Sequence, residues 1–192
     1  IASYGMTESP MVEELQITQA LFEKNYPEKN WNEFESFAKA CVAAFALEEN
    51  ERWVEVSQQK RYWRNEVRAS ALETTMMGDG CLSWPPFILR LVGRSQLPPD
   101  VMWEYDPKSV MASLDIPVIW LFGEADTTAP SATSIVKVQQ WIESGKPFTK
   151  YSYANANHGM YLSNTNSAGE TYRYKDPQYI SDLIDWLNQI RR

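Results

Sequence analysis

The sequence is poor in the side chains that carry most metal and redox chemistry. Its 192 residues hold one histidine, His158, and two cysteines, Cys41 and Cys81. The cysteines form no C-x-x-C pair and have no histidine nearby. They read as two buried free thiols, small hydrophobes of the core, in preference to a disulfide or a metal site. With one histidine and no second carboxylate pair at ligand spacing, Glu124 and Asp126 are poor metal candidates, and no cofactor is implied. No apolar run approaches the ~20 residues that a membrane-spanning helix needs, so no membrane partner is expected. Positive charge is in deficit, 18 Lys and Arg against 25 Asp and Glu, for a net charge of −7. That balance argues against a nucleic-acid partner, which would call for a basic face. No basic n-region or signal-like segment opens the chain; localisation stays open, with the cytoplasm slightly favoured. Internal repeats and low-complexity tracts are missing as well.

What is present is the balance of an ordinary globular protein, 44% hydrophobic and 22% charged. The length suits one generous domain or a domain with an appended lobe. Ile1–Gly5 reads as the end of a strand entering a loop. A helix is expected from about Pro10 to Asn25, with Pro10 in its first turn and Met11, Leu15, Thr18 and Phe22 on one face. Asn30 caps a second helix, with Glu33 three residues on as in a capping box. Trp31, Phe34, Phe37, Ala38, Cys41, Val42 and Phe45 then recur at helical spacing. Residues 49–75 carry one or two more helices. From Met76 to Asp106, seven glycines and prolines break the chain into turns and short helical pieces. The aromatic residues, eight of them Trp, read mainly as core filling.

From residue 107 the pattern changes to alternating strand and helix. Ile116–Phe122 is a continuous apolar run, as in a parallel strand covered on both faces. A helix over Ser131–Ser144 follows, closed by Gly145. Phe148–Tyr153 is a second strand. Asp176-Pro177 starts a last helix with Ile180, Leu183, Ile184, Leu187 and Ile190 in one stripe. This order predicts an α/β fold, a parallel sheet with covering helices joined by right-handed crossovers. In such sheets reactive groups gather at the carboxyl ends of strands. Asp126 lies four residues past the first strand and His158 five past the second. A carboxylate there can hold one imidazole nitrogen and leave the other to take a proton from a nucleophile.

Leu114–Asp126 followed by Pro130 resembles the seventh strand and acid loop of the α/β-hydrolases. Ala156-Asn157-His158-Gly159-Met160 resembles their histidine loop, and the resemblance covers residues 107–192. It implies Asp126 as the acid and His158 as the general base of a Ser-His-Asp triad. It also implies a division into 1–5 as a remnant of the sixth strand, 6–106 as a helical lid and 107–192 as the carboxyl-terminal hydrolase core. In such a lid Trp31, Phe34, Trp53, Trp63 and Trp84 are candidates to line a pocket.

The family places its serine in a G-x-S-x-G turn ahead of the acid and the histidine. The sequence contains no such turn. Ser3, in Ile1-Ala2-Ser3-Tyr4-Gly5, has no strand before it and no small-residue helix after it. Cys81 lacks the flanking glycines. The expectation is a partial α/β-hydrolase fold whose substrate is a small-molecule ester, or secondarily an amide or peptide. The 192 residues are expected to be inactive alone. The expected partner is a missing amino-terminal hydrolase segment, or a second copy pairing through the Ile1–Gly5 strand edge. The alternative is a hydrolase-like binding or interaction module without catalysis.

Overall fold

Helix starts form where short polar side chains can replace the missing intrahelical acceptors. The computed structural model describes residues 8–47, 49, 51–92, 101–126, 128–129 and 131–191. The expected strand Ile1–Gly5, Ser3 within it, and Gly93, Pro98, Pro99 and Pro130 lie outside them. Helix α1 spans Pro10–Asn25, and Ser9 Oγ accepts from Val12 N–H. Helix α2 spans Trp31–Ala46, and Asn30 accepts from Asn32 N–H. Helix α3 is Arg52–Glu66. A 3-10 turn, Ala69–Leu72, a π-helical segment, Met76–Leu82, and the short α4, Pro86–Val92, follow.

These elements belong to one of two compact units, Ser9–Tyr105; Ile1–Glu8 and Asp106–Arg192 make up the other. The core of Ser9–Tyr105 is aromatic. Phe22 stacks on Phe34 at 4.7 Å between centroids, and Phe34 meets Trp63 edge-on at 4.9 Å. Three of the five aromatic residues expected to line a pocket, Phe34, Trp53 and Trp63, are instead buried in this core. Trp31 packs against it, and Trp84 is 53% exposed. Helical periodicity puts the first three on inward faces, where burial of each ring stabilises the fold by ~2–3 kcal/mol.

The free-thiol expectation is overturned. Cys41 and Cys81 form a disulfide joining α2 to the π-helical segment. The pairing partner lies 40 residues away, so no local spacing announces it. Two buried cysteines brought side by side by packing have the geometry for the bond.

The second unit contains α5, Lys108–Ser113, then β1, Val118–Gly123, α6, Ala132–Glu143, and β2, Phe148–Tyr153. β1 and β2 pair in parallel, Val118 opposite Phe148 through Gly123 opposite Tyr153, with α6 in the crossover that a parallel pair needs. Trp120, Phe122, Val138 and Phe148 form the core between sheet and helix. A smaller cluster of Tyr153, Ala156 and Met160 packs with Leu121, Tyr151 and Tyr179. A hairpin absent from the sequence reading follows: β3, Tyr161–Thr165, antiparallel to β4, Thr171–Lys175. Gly169, at φ +83°, makes its turn possible, because a side chain there would be strained. The last helix, α7, spans Pro177–Ile190 and is capped by Asp176. Its apolar stripe does not cover a sheet here: none of its residues is buried, and Ile180 and Ile184 are 43% and 52% exposed. Among the described residues the sheet has two parallel strands, and no helix is long and apolar enough to cross a membrane.

Candidate active site

The two strand ends are laced together before any functional side chain appears. Glu124 N–H donates to Tyr153 O at 3.1 Å, and Ala125 N–H donates to Ala156 O at 3.0 Å. Such an approach requires glycine at the end of β1. A Cβ on Gly123 would stand 2.5 Å from Ala156 O and 2.6 Å from Asn157 O, inside van der Waals contact. Ser131 Oγ donates to Gly123 O at 3.0 Å from a buried position, which ties the start of α6 to the same corner.

The chain then turns, with Asp126 N–H donating to Gly123 O. Asp126 Oδ1 accepts from Thr128 N–H at 2.8 Å and from Ala129 N–H at 2.9 Å. The carboxylate is thereby aimed by its own loop, as short acidic side chains often are in turns. Its other oxygen, Oδ2, lies 2.8 Å from His158 Nδ1. Asp126 is nearly enclosed, its side chain 7% exposed, whereas the imidazole is 37% exposed. An ionised carboxylate only accepts, so the bond puts the proton on Nδ1 and leaves Nε2 as the basic nitrogen. A carboxylate–imidazole pair of this geometry can orient the ring and stabilise the imidazolium formed when Nε2 takes a proton.

The histidine loop has its own supports. Ala156 is fully buried. Asn157 Oδ1 accepts from Gly159 N–H at 3.0 Å and from Tyr161 N–H at 3.1 Å. Asn157 N–H donates to Tyr161 O, and Asp176 N–H donates to Met160 O. Lys175, at the end of β4, donates from Nζ to Gly159 O, its ammonium 4.2 Å from the Tyr161 ring centroid. The hairpin thus braces the residue that follows His158. Asn155 and Met160, at φ 62° and 56°, bracket the loop in the left-handed region, which asparagine tolerates and methionine seldom adopts.

The structure brings Asp126 and His158 together. Of the two residues considered as nucleophile, it excludes Cys81. Cys81 is consumed in the disulfide, and Ser3 is outside the described residues. Sequence reasoning passed over Asn157, Lys175 and the hairpin. The signal was available: Tyr161–Thr165 and Thr171–Lys175 are rich in Tyr and Thr on either side of Asn166-Ser167-Ala168-Gly169, a hairpin pattern. Among the described residues no group of three or more His, Cys, Asp or Glu side chains is placed to hold a metal. Compared with protein-family models, curated proteins and solved structures, the chain matches none.

Proposed function

We propose that this chain carries the acid and the general base of a serine hydrolase of the α/β-hydrolase type. Its substrate class is a carboxylic ester, with amides or peptides second. The observation that carries the reading is the 2.8 Å contact between His158 Nδ1 and Asp126 Oδ2 at the carboxyl ends of two adjacent parallel strands. In that role Nε2 accepts the proton of a serine hydroxyl as its oxygen adds to the ester carbonyl. The imidazolium, stabilised by Asp126, returns the proton to the departing alkoxide. A water then repeats the sequence on the acyl-serine, which releases the acid and restores the hydroxyl. The serine and the oxyanion-binding N–H groups come from outside these 192 residues, either from a further segment or from another chain. The exposed stripe of α7 supports a missing neighbour: it is a surface that a larger sheet would cover.

The test is to express the reading frame extended upstream of Ile1 and assay short-chain esters and amides. The extended protein should contain a G-x-S-x-G turn and hydrolyse esters. His158→Ala should lower kcat by about 10³-fold or more, and Asp126→Asn should cost a comparable factor through the wrong tautomer. An active extended protein indifferent to His158→Ala would sink the assignment.

A further inference from the structure

Helix α3 carries a second feature, far from acid–base chemistry. Ser57, Lys60, Arg61, Arg64 and Asn65 follow one another at helical spacing along a single face. Together with Pro85, Pro86 and Phe87 they line an open cleft of about 640 Å³. That volume is within the usual range for a small-molecule site. Arg64 also borders an adjoining hollow with Arg68, Ser70 and Ser83. Among the described residues no carboxylate lines either space. On a chain of net charge −7, the described charged side chains that line this cleft are all cations.

The cleft is built into the fold. Lys60 is 6% exposed, and its ammonium donates to the carbonyls of Cys81 and Trp84. Cys81 is also bonded to Cys41 of α2. The segment leading into Pro85–Phe87 is therefore pinned to α3 by a buried cation and to α2 by a disulfide. Burial, helped by the neighbouring Arg64 charge, lowers the Lys60 ammonium to about 8. An anion entering the cleft would relieve that repulsion.

We propose that this cleft binds a small amphiphilic anion, a single carboxylate or phosphate-ester group on an apolar body. The planar guanidinium groups of Arg61 and Arg64 suit two-oxygen recognition of either head. Phe87, 67% exposed, and the two prolines receive the apolar body, while the Asn65 amide offers a hydrogen bond. The inference is independent of the hydrolase reading and concerns Ser9–Tyr105 alone.

Calorimetric titration of the full chain at low salt tests it with four probes: 2-naphthoate, 2-naphthyl phosphate, neutral 2-naphthylmethanol and inorganic phosphate. Saturable one-site binding of naphthoate, naphthyl phosphate or both is expected, the pattern showing which head is preferred. The neutral isostere should bind roughly tenfold or more weakly than the better anion, because it lacks the charge-assisted bonds. Inorganic phosphate, without an apolar body, should be weaker by a similar factor. The Arg61→Gln/Arg64→Gln protein should lose about tenfold or more in affinity with its circular dichroism and Tm unchanged, since both side chains are exposed. Phe87→Ala should weaken the naphthyl anions and leave inorganic phosphate unaffected. Equal binding of the neutral isostere, binding that survives the double substitution, or no saturable binding of either naphthyl anion would overturn the proposal.

Discussion

Two residues show how position sets chemistry where type alone does not. Gly123 is one. An alanine there would drive a methyl into the carbonyls of Ala156 and Asn157, both backbone and neither able to swing aside. Gly123→Ala should cost roughly 1–3 kcal/mol, the usual range for overpacking, read as a lower urea midpoint. It should also part the loops that hold Asp126 to His158. Glu14 is the other. It is half-buried on α1, and its Oε1 accepts from Met76 N–H. Burial raises its carboxyl to about 7 from an ordinary 4.5; the Met76 bond opposes this and the Asp79 charge adds to it. The folded state thus holds this proton more tightly than the unfolded chain does. The associated stability is complete below about pH 4.5 and is lost as the pH rises through about 7. The amount is on the order of 3 kcal/mol. Glu14→Gln keeps an acceptor for Met76 and removes the titration. Thermal scans across this window should show a flatter profile for the variant and a higher Tm at pH 8.

At the scale of elements, the disulfide has the largest single effect. It closes a loop of 40 residues through α2, α3 and the π-helical segment. By loop-closure entropy its loss destabilises Ser9–Tyr105 by about 4 kcal/mol. Cys41→Ser/Cys81→Ser should therefore unfold at markedly lower urea than the parent, and the parent under reductant should move toward the variant. Disulfides persist in oxidising compartments and are rare in the cytosol, so the bond weighs against the cytoplasmic expectation. In the other unit the hairpin of β3 and β4 is an exposed element with a local task. Lys175→Met removes the donor to Gly159 O while keeping much of the contact with Tyr161. Faster amide exchange at Gly159 and Met160, with little change in global stability, is the expected result.

For the whole molecule, the unburied stripe of α7 decides what to expect in solution. Ile180, Ile184, Leu187 and Ile190 are each more than a third exposed on one helix, a surface that monomeric proteins seldom leave open. Under the proposed function this face is covered by the segment that supplies the serine. Without that segment the chain should associate. Sedimentation should show species larger than a monomer, and Ile180→Asp/Ile184→Asp should shift them toward the monomer without loss of helicity. A parent that stays monomeric at high concentration would count against the missing neighbour.

Much of this was legible before any coordinates. Pro10, Asn30 and Asp176 marked helix starts because capping is local chemistry, settled within three or four residues. The apolar run before Gly123 and the run ending at Tyr153 marked strands, and the loops after them placed Asp126 and His158 on one sheet edge. What the residues could not announce was long-range. The Cys41–Cys81 bond depends on two helical segments 40 residues apart packing face to face. The burial of Phe34, Trp53 and Trp63 depends on which helix faces meet. The cleft beside Arg61 and Arg64 exists because Lys60 is drawn inward to two carbonyls of a distant turn. The sequence by itself determined that Asp126 and His158 each follow a strand, and the order of most helices and of the parallel strands, since propensity, capping and chain direction act locally. Only the tertiary structure decided the 2.8 Å contact between Asp126 and His158, the disulfide and the exposed face of α7, because each depends on which surfaces the folded chain brings together and which it leaves uncovered.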